Sequence, residues 1–228
     1  MSTRRGALVV FEGAEGVGKS TQLRRLAKWL EREKIFPRLV REPGGTPLGD
    51  EIRRLVLDTP GSMDPRAEAL LFMASRAQLV SSVIAPALAH GELVLADRFF
   101  LSTYAYQIGG RGLPQNDVRS ANAVATNGLV PSLTVLLTLP VSESLQRMRE
   151  RAGHGPDRIE SAEENFHRRV AEAFAAFAAP EWQLAHPEAG PIVQIDASGS
   201  EDEVEHLVVS AVRNVLSETI SFRTTSNR

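Results

Sequence analysis

The chain has 228 residues, 43% hydrophobic and 24% charged, with a formal net charge of −2 and no cysteine. That balance is ordinary for a water-soluble globular protein and excludes disulfides, thiol catalysis and Cys-ligated metals. With no global positive field, neither a nucleic-acid nor a membrane partner is expected, and any anionic ligand must be held by a local cluster of charge.

The opening segment "MSTRRGALVVFEG" has two arginines but an apolar run too short for a signal-peptide core or a membrane span, so a cytoplasmic location is expected. Within it, "ALVVFEG" (7–13) is a near-continuous apolar run, the pattern of a strand buried on both faces of a parallel sheet. From Gly18 to about Glu33, Leu23, Leu26, Ala27 and Leu30 recur at helical spacing. "PRLVREP" (37–43) reads as a second strand and "LGDEIRRLVL" (48–57) as a short helix. A long helix is predicted over 64–91, with Asp64 as N-cap, Pro65 at the first helical position and Gly91 as stop. "ELVLADRF" (92–99), "LTVLLTLP" (133–140) and "PIVQID" (191–196) supply three more strands. Helical patterns lie at 114–127, 142–151, 162–185 and 200–217.

Strands alternating with helices predict an α/β fold of the P-loop three-layer type, a five-stranded parallel sheet flanked by helices. Residues 1–217 read as one domain with a short lid at about 147–158, and 218–228 as a polar tail. Ligands of such sheets bind beyond the carboxyl ends of the strands, where Glu12, Arg41, Asp97 and Arg98 fall.

Gly13-Ala14-Glu15-Gly16-Val17-Gly18-Lys19-Ser20 fits G-x4-G-K-[ST], with a strand before it and a helix after. Glycines let successive backbone N–H groups curl around phosphate oxygens, and the helix N-terminus adds its positive dipole end. Lys19 is expected on the β- and γ-phosphates and the Ser20 hydroxyl on Mg²⁺, with Thr21 next to them. "DTPG" (58–61) looks like a GTPase switch motif, but helical periodicity precedes it and no N-K-x-D guanine reader occurs, so it is read as a helix stop.

Candidates for a second anion site follow. Phe72 and Arg76, four apart, share a helix face, either as a ring and guanidinium for a base or as a core Phe beside an unrelated Arg. Asp97 can hold a Mg²⁺-bound water and Arg98 an acceptor phosphate, or the two form a structural ion pair at the strand end. Thr103 and Gln107 stand one helical turn apart, both able to read a base edge. "RMRERAGHGPDR" (147–158) concentrates arginines around a Gly/Pro segment, as a lid over a triphosphate or as a solvated helix end.

Together "FEGAEGVGKST", "REPGGTPLGDEIR", "EALLFMASRAQ", "ADRFFLSTYAYQ" and "DRIE" closely resemble the thymidylate kinase family over about residues 7–217. The resemblance implies transfer of the γ-phosphoryl group of ATP, with Mg²⁺, to dTMP, by a homodimer. It implies that Phe72 stacks on thymine, Arg76 bonds its exocyclic oxygen, and Thr103 and Gln107 sit at the base edge. Arg98 would bind the dTMP phosphate with Arg41 beside it, Glu15 would lie near the sugar 3′-hydroxyl, and the Glu42–Pro43 bond would be cis. Because Gly16 stands where one branch of the family carries a basic residue, the chain resembles the branch whose catalytic arginine comes from the lid. Arg151 is the expected residue, with Arg147 and Arg149 as alternates, acting beside Lys19 and Arg98.

Overall fold

The computed structural model describes residues 6–150, 158–160 and 162–219, save the side chains of 149, 218 and 219. Five strands, β1 (Ala7–Glu12), β2 (Arg38–Arg41), β3 (Leu93–Asp97), β4 (Leu133–Thr138) and β5 (Ile192–Asp196), form one sheet in the order β2-β3-β1-β4-β5. All four pairings are parallel. All six residues of β1 are buried at its centre, which is why its sequence is a continuous apolar run rather than an alternation. The edge strands β2 and β5 are largely exposed and tolerate Arg38, Arg41 and Gln194.

Ten α-helices flank the sheet among the described residues: α1 (Lys19–Arg32), α2 (Pro47–Asp58), α3 (Pro65–Leu79), α4 (Ala85–Ala89), α5 (Phe100–Thr103), α6 (Gln115–Thr126), α7 (Val141–Glu150), α8 (Glu164–Ala176), α9 (Pro180–Ala185) and α10 (Glu201–Thr219). α1 and α10 pack on each other and both contact β1, burying Leu26, Leu30, Val208 and Val212. Each such side chain removed from water contributes on the order of 1.5–3 kcal/mol before conformational entropy is charged against it.

Two predicted helices are interrupted, each by a proline. The 64–91 run begins as expected, with Asp64 Oδ1 accepting from Arg66 N at 2.9 Å and Pro65 first in the helix. It then widens into a π-helical segment, Val80–Ile84, in which Ala85 N reaches back five residues to Val80 O. Pro86 explains the break: it has no N–H to give and its ring crowds the preceding turn. The pattern over 162–185 divides into α8 and α9 because Pro180 cannot continue one helix and instead starts the next. The stretch Pro65–Ala89 is also long and apolar enough to cross a membrane by length and composition. In the fold this stretch packs on α2, α6 and β3, with Met73, Leu79 and Ile84 buried.

Candidate active site

The phosphate loop leaves the carboxyl end of β1 and enters α1. Lys19 is buried and its Nζ donates to Ala14 O at 2.7 Å, so the ammonium lies across the mouth of its own loop. Ser20 Oγ donates to Asp97 Oδ2 at 2.6 Å. That pair forms because β3 is the direct neighbour of β1, with Phe11 in register with Asp97. A hydroxyl beside a carboxylate is a hard oxygen set that suits Mg²⁺, which is commonly held by one or two carboxylates with waters and substrate phosphates. Among the described residues no cluster of three His, Cys, Asp or Glu side chains offers an all-protein metal cage.

Arg98 follows with φ +71, a left-handed backbone that turns the chain off the strand. Glu12, fully buried at the end of β1, fixes that turn by accepting from Phe99 N at 2.8 Å, Ser102 N at 3.0 Å and Ser102 Oγ at 2.6 Å. The Arg98 guanidinium is thereby returned toward the loop. It forms an ion pair with Glu15, donates to Ser102 Oγ at 3.0 Å and Tyr106 Oη at 3.2 Å, and lies 5.1 Å above the Tyr106 ring.

A cleft of about 580 Å³, counting its open mouth, faces this pair. It draws together Glu15, Phe72, Arg76, Arg98, Thr103 and Gln107 from the phosphate loop, α3, the turn after β3, α5 and the helical segment that follows α5. Six of the seven residues expected around an acceptor thus line one cavity. Arg41 does not: it stands exposed at the end of edge strand β2, while Arg53 of α2 lines the cleft and donates to Pro43 O at 3.1 Å. The Glu42–Pro43 peptide bond is cis.

Arg76 is 2% exposed and held in a network. Its Nη2 donates to Glu42 Oε2 at 2.5 Å and Phe99 O at 2.6 Å, and its Nη1 to Thr103 Oγ1 and Asn122 Oδ1, both at 2.6 Å. A base edge meeting this guanidinium must share or displace one of those bonds. Thr103 is in turn oriented by Arg76. Gln107 lies on a π-helical segment, Tyr104–Gly110, rather than on an α-helix.

Three groups of this one cluster have shifted protonation equilibria. Burial pushes the Glu15 carboxyl up, but Arg98, Lys19 and the Tyr106 hydroxyl outweigh it and bring it down to about 2. Lys19 is lowered to about 8 by burial and by Arg98, against the opposing pull of Glu15, Asp97 and Glu12. Burial drives the Tyr106 hydroxyl well above its usual value, so it stays protonated and donates to Glu15 Oε1 at 2.9 Å.

On the other side of the loop an open hollow is lined by Gly16, Gly18, Thr21, Gln22, Arg147 and Ser200, among others. Arg147 therefore lines this hollow beside the phosphate loop, with Nη2 bonded to Glu143 Oε1 at 2.5 Å. Arg151 and the side chain of Arg149 fall outside the described residues.

Four residues went unseen in sequence: Tyr106, Arg53 and Asn122 in and behind the cleft, and Ser144 of α7, whose Oγ donates to Glu15 O at 2.5 Å. Tyr106 sits between Thr103 and Gln107 and could have been suspected as an aromatic hydroxyl. Ser144 and Asn122 carry no local signal, because only the packing of distant helices brings them to the site.

An all-parallel sheet with a phosphate loop after its central strand, and a second charged cleft opposite the loop, defines the class as P-loop phosphotransferases of the nucleotide-kinase type. The thymidylate kinase family model matches residues 11–208. The chain is 45% identical to the thymidylate kinase of Deinococcus radiodurans over 91% of its own length and 96% of that protein. It is 43% identical to the thymidylate kinase of Synechococcus sp. strain CC9902, covering 92% of this chain and 99% of the other. A third relative, from Bifidobacterium longum subsp. infantis, is 42% identical over 95% and 90%. The chain belongs to the thymidylate kinase family.

Proposed function

We propose that this enzyme phosphorylates dTMP to dTDP with ATP and Mg²⁺. A dTMP phosphate oxygen bonds to the γ-phosphorus of ATP, the β–γ bridging P–O bond breaks, and ADP leaves. The acceptor is already anionic, so no general base is required, and the problem to be solved is the repulsion between two polyanions. The observation that carries the reading is the Glu15–Arg98 pair, which joins the phosphate loop to the opposite cleft. Lys19 serves the transferring phosphoryl group, Arg98 grips the acceptor phosphate, and a lid arginine, Arg151 first, covers the transferred charge. Ser20 and Asp97 would hold Mg²⁺, which would supply further positive charge against the repulsion of the phosphates.

Phe72, Arg76, Thr103 and Gln107 take the thymine, and Arg53, rather than Arg41 alone, serves the phosphate end. We further infer a cytoplasmic homodimer without nucleic-acid or membrane partners, supported by the net charge of −2 and by exposed Leu48, Leu55, Leu70 and Val124 on α3 and on α2 and α6, which both pack against it. A coupled ADP-release assay across dTMP, dUMP, UMP, CMP, AMP and thymidine tests the reaction. Stimulation greatest with dTMP is expected; greater stimulation by another acceptor reassigns the cleft, and nucleotide binding without acceptor-stimulated release removes the kinase reading.

A further inference from the structure

Four donors converge on a carboxylate that the reaction above does not use. Glu68 of α3 is 1% exposed. It accepts from Gln107 Nε2 at 3.2 Å, from Arg111 Nε and Nη2 at 3.0 Å each, and from Arg158 Nη2 at 2.6 Å. Arg158 is also tied to the last turn of α2, its backbone N to Leu57 O at 3.0 Å and its Nε to Val56 O at 2.8 Å. Those terminal carbonyls have no intrahelical donors, and they sit at the negative end of the helix dipole. The next two residues, Ile159 and Glu160, line the cleft together with Leu57. One buried carboxylate therefore joins α3, the segment that carries Gln107, and the chain that returns from the lid.

We propose that Glu68 is a positioning residue for the acceptor base: it holds the 158–160 wall of the cleft against α2 and fixes the amide of Gln107. This rests on reading the cleft as the dTMP site. An ionised carboxylate only accepts, so Gln107 must turn its nitrogen to Glu68 and keep its carbonyl oxygen for the ligand. Burial pushes the Glu68 carboxyl up, but the bonds and charges of Arg111 and Arg158 prevail and keep it below the usual range, hence ionised. A carbonyl oxygen accepts from a ring N–H such as thymine N3–H and repels the bare ring nitrogen of cytosine. Glu68 thereby selects the base through Gln107 without touching it.

The test compares Glu68→Gln, Arg158→Gln and Phe72→Ala in the full-length enzyme, with folding checked by thermal melting. Glu68→Gln keeps the shape but both donates and accepts, so Gln107 is free to reverse. KM for dTMP is expected to rise about tenfold or more with KM for ATP nearly unchanged, and the preference for dTMP over dCMP, read as the ratio of dissociation constants by titration calorimetry, to fall by about the same factor. Arg158→Gln should raise KM for dTMP while sparing the base preference, because Gln107 is still held; it carries the test if Glu68→Gln does not fold. Phe72→Ala calibrates the cleft. If it raises KM for dTMP while Glu68→Gln and Arg158→Gln do not, the role of Glu68 is overturned and the acceptor reading stands; if all three leave KM for dTMP unchanged, both are overturned.

Discussion

Gly16 has φ +79, and a Cβ built there would stand 2.5 Å from Ser144 O and 3.2 Å from Met148 N. A side chain at this position is thus opposed both by the backbone and by α7 lying on the loop, a physical reason for the loop to lack its own basic residue. Gly16→Ala or Gly16→Arg must push α7 away, and ATP affinity measured by titration is expected to fall about tenfold or more. For Arg98→Ala, turnover with dTMP should drop by a factor of about 10² or more while ATP binding stays nearly intact; an equal loss of ATP affinity would move Arg98 to the donor side. Lys19 titrates near pH 8 in the free enzyme, a value below that of an exposed lysine, and the sign follows from which form is charged. Below about pH 8 the ammonium is intact; above it the cation is lost, so kcat/KM for ATP falls as pH rises through about 8. Bound triphosphate raises the lysine's affinity for its proton, and kcat should therefore decline only at higher pH.

At the scale of elements, α7 lies on the phosphate loop and carries Arg147 beside it. Ser144 anchors it to Glu15 O, and one turn later Arg147 lines the hollow beside the phosphate loop while bonded to Glu143. Ser144→Ala leaves that partly buried carbonyl without its hydroxyl partner, a loss of about 1 kcal/mol, expected as a lowered melting temperature and a raised KM for ATP. The arginines of this region separate by kinetics. Arg147→Ala should raise KM for ATP, whereas Arg151→Ala should lower kcat more than either KM; an unchanged kcat would shift the transition-state role to another lid arginine. Apolar spacing made the helices legible, yet it concealed the breaks at Pro86 and Pro180, since the buried face continues across both. The π-helical segment at Tyr104–Gly110 has no periodic signature at all. Gly110 lies close against Phe166 and Val170 of α8, so the segment owes its wide turns to that packing rather than to local propensity.

Over the whole molecule, the dimer proposed above would use the exposed Leu48, Leu55, Leu70 and Val124 of α2, α3 and α6. Leu70 is 61% exposed in the middle of α3, and Leu70→Arg should convert a dimer to a monomer in sedimentation velocity. A wild-type chain that sediments as a monomer at micromolar concentration would remove the dimer reading. The sequence by itself determined the parallel α/β sheet, the phosphate loop and six of the residues that line the cleft. Each of these is written locally, as an apolar strand run, a glycine spacing that only phosphate requires, or two side chains one helical turn apart. Tertiary structure alone decided that Arg76 is spent largely on Glu42 and Asn122, that Arg53 lines the cleft where Arg41 does not, and that Glu68 gathers Gln107, Arg111 and Arg158. Those contacts join residues far apart in the chain, and whether a guanidinium or carboxylate faces a ligand or a neighbour depends on what the fold packs against it.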